Sequence, residues 1–438
     1  MAAILGNRSP FATQGFDRAR TKERELLSDG CRERKLKIRK LNPNSQEAAI
    51  RDSPDVPSVV DLFSAFLRLG LTAFGGPAMV AYIRQMAVEK ERWLPADSFD
   101  SGVAFCQAIP GATAMQTAAY VGLRVRGVIG AAASFVAFGL PAFALMLLLS
   151  ALYTRAHDLP GILPAFSGLQ AISVALVANA TVTFGKTSLK RLPHVLIALL
   201  AAALFGWKAS PFLVILLAAL LALEFIPAST EPDVFESPRQ PMPQTAKQAM
   251  VLLAGAALVF LGLWIVERCL FSVAALMFRI DLFAFGGGFA SVPLMFHETV
   301  EVHHWLDGPT LLNGIALGQI TPGPIVITAT FIGYLLAGFA GGVTATLGIF
   351  FPSFLMLVAT APYFDRLRSW PPFIKMISGS ICSFVGLLLT VTVRFAEGVT
   401  WDWAHLLLVV AAVVALRLKA NVLWIVLAGA GLSIILCR

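Results

Sequence analysis

Glycine- and proline-rich motifs interrupt the apolar stretches of this 438-residue sequence at four places. Phe74-Gly75-Gly76-Pro77 is followed later in the chain by Phe285-Gly286-Gly287-Gly288, and Pro110-Gly111 is followed by Pro322-Gly323-Pro324. Glycine and proline break helices, and at membrane depth the freed backbone groups are tolerated only where protein or a water-filled cavity receives them. Because N–H groups at a half-helix N-terminus suit an anion, we predict an anion-binding site here. The alternative is that these glycines only permit close helix packing.

A small set of polar side chains accompanies the motifs. Arg68 and Arg279 each lie six residues before the phenylalanine of a motif, in apolar surroundings. The planar guanidinium fits an oxyanion bidentately, and the alternative is an arginine that snorkels from a helix end. Asp281 is interpreted either as a proton-coupling carboxylate or as a local charge partner. Three glutamines lie close to the Pro-Gly breaks and can donate and accept hydrogen bonds: Gln107, Gln116 and Gln319.

No metal site, cofactor or enzymatic activity is predicted. His297-Glu298 and His303-His304 place histidines six apart rather than four as in zinc protease helices, so we expect a solvent-facing loop. There is no Walker-type loop for ATP. An intramembrane enzyme would need a buried nucleophile with a histidine or acid partner, which the uncharged blocks lack. A channel or a non-transporting sensor is the remaining alternative class.

Composition indicates an all-α polytopic membrane protein. The chain is 57% hydrophobic and 14% charged, with a mean hydropathy of +0.75. No Asp, Glu, Lys or Arg occurs in 127–154, 159–185 or 308–364, and about 20 apolar residues suffice for one crossing. We predict four regions: a cytoplasmic, basic and disordered tail at 1–55, repeats at 56–227 and 249–438, and a polar linker at 228–248.

The two repeats have the same motif order. Arg68 and the first glycine motif recur 211 positions later, Gln107 and its Pro-Gly break recur 212 positions later, and Gly122 recurs as Gly333. Connections in the first copy are basic and those in the second are acidic or neutral, which predicts inverted topology with the N-terminus cytoplasmic and residues 297–307 outside. Broken helices at matched positions of inverted repeats are typical of secondary transporters.

At these motifs the sequence resembles the chromate ion transporter family. The similar segments are 71–77, 106–111 and 319–324, and Ala112 departs from the usual second proline that Pro324 retains. The resemblance implies efflux of chromate across the cell inner membrane, coupled to an ion gradient. Sulfate or another inorganic anion is the alternative substrate of a carrier or channel. The expected partners are the oxyanion and the lipid bilayer, without nucleic acid, and assembly as a homodimer is left open.

Overall fold

The computed structural model of the protein describes residues 57–74, 78–156, 163–227, 246–368, 370–418 and 420–436. These residues form helices and connections, with no strand among them, so the all-α prediction is confirmed. The predicted tail and residues 228–245 of the predicted linker lie outside the described residues. The last residues of that linker instead begin a helix at Ala246.

The helices fall into two similar series. The first contains α1 (Val59–Thr72), α2 (Ala78–Arg84), α3 (Ala96–Ala108), α4 (Thr113–Ala156), α5 (Leu163–Ser188), α6 (Leu192–Gly206) and α7 (Pro211–Phe225). After α8 (Ala246–Val266), the second contains α9 (Arg268–Leu282), α10 (Ser291–Phe296), α11 (Gly308–Ile320), α12 (Thr328–Thr360), α13 (Phe364–Arg368), α14 (Pro371–Glu397), α15 (Trp403–Arg417) and α16 (Val422–Leu436).

Local backbone details also repeat. A π-helical segment follows α2 at Gln85–Lys90, and another follows α10 at His297–Val302. Each is followed by a non-glycine residue with φ of 53°, namely Arg92 and His304. Such left-handed residues are uncommon, so their recurrence at the same place is strong evidence for the repeat.

Helix α4 is a hairpin of two antiparallel segments. The backbone is non-helical at Gly127, where φ is 63°. Beyond this turn Ser134 Oγ donates to Ala118 O at 2.8 Å, although these residues would lie about 24 Å apart in a straight helix. Gly122 packs so closely on Gly130 that a Cβ atom would lie 2.2 Å from the opposing carbonyl oxygen. Both glycines are therefore required by the close approach of the two segments.

Helix α3 and the first segment of α4 form a re-entrant hairpin with Pro110-Gly111 at its tip. Tyr120 donates its hydroxyl to Ser98 O at 3.2 Å, which shows that the two helices run antiparallel. The base of the hairpin returns to the beginning of α1, because Arg126 Nε donates to Pro57 O at 2.7 Å. The predicted re-entrant helix is confirmed.

The second repeat has the same hairpins. Helix α12 turns at Gly338, where φ is 59°, and Gly333 packs on Gly341. Helix α11 runs antiparallel to the first segment of α12, since Gly314 packs against the ring of Phe331. The second Pro-Gly motif is therefore also at a hairpin tip.

The two repeats are inverted. Phe135 of α4 packs on Phe354 of α12 with ring centroids 5.3 Å apart, whereas Leu147, further along α4, reaches back to Gly342. The second segments of these equivalent helices thus run antiparallel. A two-fold axis perpendicular to two equivalent helices makes them run antiparallel, whereas an axis parallel to them leaves them parallel. The predicted inversion is confirmed.

The exposed surface of the helices is apolar, as a bilayer requires. Within the described ranges, five helices are long and apolar enough to cross a membrane, and α6, α7, α15 and α16 are shorter apolar helices. Helix α8 is exposed on nearly all sides, with Val251, Leu258 and Val266 among its exposed residues. The protein is a multi-pass membrane protein.

Candidate functional site

Hairpin tips from the two repeats meet in the structure. Gly111 N, at the first Pro-Gly tip, donates to Ala284 O at 2.9 Å, immediately before the glycine motif of the second repeat. On the other side of this contact a Cβ atom on Gly287 would lie 3.2 Å from Thr113 Oγ1. Gly111 has φ of 118° and Gly287 has φ of 94°, so both positions favour glycine.

The second Pro-Gly tip joins the same junction. Gly288 packs against Ile325, which follows Pro324, and a Cβ atom at position 288 would lie 3.2 Å from Ile325 Cγ2. Gly323 packs on Ala142 of α4. The second glycine motif and the residue directly before it therefore contact the chain at or next to both Pro-Gly tips.

The remaining motif is described only at its first residue. Phe74 is half-buried directly after α1, whereas Gly75, Gly76 and Pro77 lie outside the described residues. Their predicted place at the junction remains a prediction.

Ser353 links the first tip to the predicted coupling carboxylate. Ala112 N donates to Ser353 Oγ at 2.8 Å, and the Ser353 hydroxyl donates to Asp281 Oδ2 at 2.7 Å. Ser353 is fully buried and Asp281 is 1% exposed. The second carboxylate oxygen, Asp281 Oδ1, has no hydrogen-bond partner among the described residues. A buried carboxyl group can carry a proton on an oxygen that has no hydrogen-bond partner.

Gln116 supports the same tip from within α4. Its Nε2 donates to Pro110 O at 2.6 Å and lies 3.4 Å from Ser353 O, a longer second contact. Because both neighbours are carbonyl oxygens, the amide orientation is determined by this contact pattern. The other amide atom, Gln116 Oε1, is buried and lacks a partner among the described residues.

The backbone donors at the first tip are already occupied. The sequence predicts free N–H groups here, but Gly111 N is bound by Ala284 O and Ala112 N by Ser353 Oγ. The reason is that buried amides are almost always paired in a folded protein. An anion would reach these donors by replacing Ala284 O or Ser353 Oγ.

The two arginines are not brought to the tips in this structure. Arg68 is exposed and lies four residues, about 6 Å along the axis, before α1 ends at Thr72. Arg279 is half-exposed, pairs with Glu298 and lies over the Phe212 ring at 4.4 Å. The guanidinium of Arg279 is therefore engaged by the protein itself.

The other two glutamines lie near the ends of their hairpin helices. Gln107 is exposed, and Gln319 is half-buried. Gln319 Nε2 is a buried donor without a partner among the described residues.

Phe285 and Gly286 border a small apolar cleft with Phe184 and Phe384.

The histidine cluster differs from its prediction. The prediction of a solvent-facing loop is wrong for His297 and Glu298, which are 7% and 2% exposed and begin a π-helical segment. His297 Nδ1 lies 2.9 Å from Glu301 Oε2, and Glu301 pairs with Arg394 of α14. These pairs compensate the buried charges. No group of three or more His, Cys, Asp or Glu suited to a metal occurs within the described ranges.

Two polar residues of the site have no polar counterpart in the other repeat. At the equivalent positions of the other half, Ser353 is replaced by Ala142 and Asp281 by Gly70. Sequence reasoning identified Asp281 but missed Ser353. The signal was available, because Pro352 matches Pro141 and the next residue changes from alanine to serine.

Inverted repeats, each with re-entrant hairpins whose broken tips meet inside the protein, define a membrane transporter. The model of the chromate transporter family matches residues 60–223 and 271–434. The chain belongs to the chromate transporter family.

Curated relatives agree with this assignment. An uncharacterized transporter of Methanocaldococcus jannaschii is 42% identical over 85% of this chain and 92% of its own length. A chromate transport protein of Cupriavidus metallidurans is 30% identical over 81% of this chain and 86% of its own length. The chromate transport protein of Pseudomonas aeruginosa is 29% identical, over 80% and 84% respectively. No solved structure gives a significant match.

Proposed function

We propose that this protein is a secondary active transporter that exports chromate across the cell inner membrane. The observation that carries the proposal is the contact of Gly111 N with Ala284 O, which joins the broken tips of two inverted repeats. Chromate is proposed as the substrate because relatives of similar length are named chromate transport proteins. The N-terminus would be cytoplasmic, in agreement with the basic connections of the first repeat.

The anion would bind at the tips through backbone N–H groups. Such donors carry no formal charge, so they can replace part of the hydration shell of a dianion and still release it. The tips at Pro110-Gly111, Phe285–Gly288 and Pro322–Pro324 would supply these donors, at the first tip once the anion replaces Ala284 O or Ser353 Oγ, and the positive helix ends beside them would assist. Phe74-Gly75-Gly76-Pro77 is the proposed fourth tip.

Side chains around the tips have different proposed roles. Gln107 and Gln319 would contribute amide donors, Gln116 would hold the first tip in place through Pro110 O, and Asp281 would be the carboxylate that couples transport to an ion gradient. Arg68 and Arg279 lie before the tips, so we assign them to anion capture on the way to the site. Exposed arginines at membrane depth are tolerated where they line a water-filled path.

Sulfate is the alternative substrate, because it shares the tetrahedral shape and double charge of chromate. The experiment is uptake of radiolabelled chromate and sulfate into inside-out vesicles, with and without a pH gradient. Chromate accumulation above that of vesicles without the protein supports the proposal. Accumulation of sulfate alone assigns the protein to the alternative, and accumulation of neither contradicts oxyanion transport.

A further inference from the structure

Resting on the proposed anion transport, we infer that Ser353 is a positioning residue that makes a proton on Asp281 and an anion at Ala112 N bind together. The Ser353 hydroxyl group connects the two binding events. It starts from the chain of two hydrogen bonds, of 2.8 and 2.7 Å, that joins the tip amide to the carboxylate.

The direction of each hydrogen bond is determined by the donors available. Ala112 N carries a hydrogen and can only donate, so Ser353 Oγ accepts from it. The hydroxyl hydrogen of Ser353 is then directed to Asp281 Oδ2. A hydrogen bond to an ionised carboxylate is roughly twice as strong as one between neutral groups. An ionised Asp281 therefore holds Ser353 in the place that an anion would take.

Protonation of Asp281 removes this restraint. The hydrogen bond from Ser353 becomes a neutral one, and its side chain can turn away from Ala112 N. The proton comes from water on the side to which the site is open and is carried on the carboxyl group, so no covalent bond of the protein changes. The amide N–H then becomes a donor for the anion.

Electrostatic repulsion acts in the same direction. An ionised Asp281 lies only two hydrogen bonds from Ala112 N, and like charges this close repel strongly in a site shielded from water. Proton binding and anion binding therefore favour each other, and by linkage the effect is reciprocal. One proton with a dianion leaves one net negative charge, so an inside-negative potential still favours export.

Ionisable groups on the elements around Asp281 do not supply an alternative switch. Helix α9 carries Arg268 and Arg279, of which Arg279 is paired with Glu298. Helix α12 carries Tyr334, α8 carries Lys247, and the ionisable residues of α4 lie away from its tip, at Tyr120, Arg124, Arg126, Tyr153 and Arg155. Among the described residues Ser353 is the hydrogen-bond partner of the Asp281 carboxyl, and no charged side chain forms an ion pair with it.

The test uses the full chain reconstituted in liposomes, with KM for radiolabelled chromate measured over a series of pH values. Wild-type KM should rise up to about tenfold per pH unit once Asp281 is ionised. Ser353→Ala should lower KM at high pH at least roughly threefold and flatten its pH dependence, because the amide is no longer held. Ser150→Ala is the control, a fully buried serine that bonds only to Met146 O of its own helix.

The outcomes separate this inference from the proposed function. An unchanged KM profile for Ser353→Ala overturns the inference while leaving transport established. If Ser353→Ala does not fold, Asp281→Asn decides, since it should give a KM independent of pH, and a wild-type pH slope would overturn the inference. If wild-type liposomes move no oxyanion, it is the proposed function that fails.

Discussion

Thr181 and Thr392 occupy equivalent positions in the two repeats, and their Oγ1 atoms lie 3.3 Å apart. Further along α5, Gly185 approaches Val385, which lies earlier in α14. The two equivalent helices therefore run antiparallel and meet at equivalent residues. Contact between such residues places the pseudo-two-fold axis between them.

This contact predicts a specific cross-link. In a cysteine-free background, Thr181→Cys with Thr392→Cys should form a disulfide nearly completely on mild oxidation, because neighbouring side chains can adopt disulfide geometry. The measurement is the shift in mobility after proteolysis between the repeats. Val182→Cys with Val393→Cys is the control pair, since both residues are exposed. Efficient cross-linking of the control pair but not of the threonine pair would contradict the packing.

The inverted topology predicts labelling from opposite sides. Lys90 ends the first π-helical segment, His303 directly follows the second, and both residues are exposed. A single cysteine at position 303 should react with an impermeant reagent in intact cells, whereas one at position 90 should react only after permeabilisation. Labelling of both from the outside would contradict the orientation. Reaction of both after permeabilisation controls for accessibility.

Gly111 is predicted to be essential because of the space at the tip. In Gly111→Ala the new Cβ would lie 2.2 Å from Ser353 Oγ and 2.8 Å from Gln116 Nε2. Gly127→Ala is the matched control, since its φ is also positive and nothing lies within 4 Å of its Cβ position. Backbone strain from the positive φ, on the order of 1–3 kcal/mol, acts on both variants.

We therefore expect Gly127→Ala to retain transport and Gly111→Ala to lose it, with both proteins present in the membrane. Chromate uptake normalised to protein amount is the measurement. If both variants lose transport equally, backbone strain would explain the loss and the contacts at the tip would not. If both retain it, the tip position does not require glycine.

Arginine-to-lysine substitutions test the proposed capture residues. Arg68 pairs with no acid among the described residues, so the main effect of Arg68→Lys should be a rise in KM of roughly tenfold through loss of bidentate contact. Arg279→Lys should also lower the thermal unfolding temperature, because it weakens the pair with Glu298 and the contact with Phe212. Full retention of transport by both variants would make these residues structural.

The membrane class, the repeat and the helix breaks were determined by the sequence itself. These properties are local: an uncharged stretch such as 308–364 excludes a soluble surface, and a glycine with positive φ such as Gly111 breaks its helix whatever packs on it. The inversion also followed, because loop charge is read directly from the chain.

Only the tertiary structure decided which donors are free and which side chains meet. Ser353 is 241 residues from Ala112 and 72 from Asp281, and Ala284 O reaches Gly111 N from the other repeat. No local pattern encodes such pairs. They form because α9 packs on α12 and the inverted repeats bring α4 against α12, so buried polar groups must find their partners across the fold.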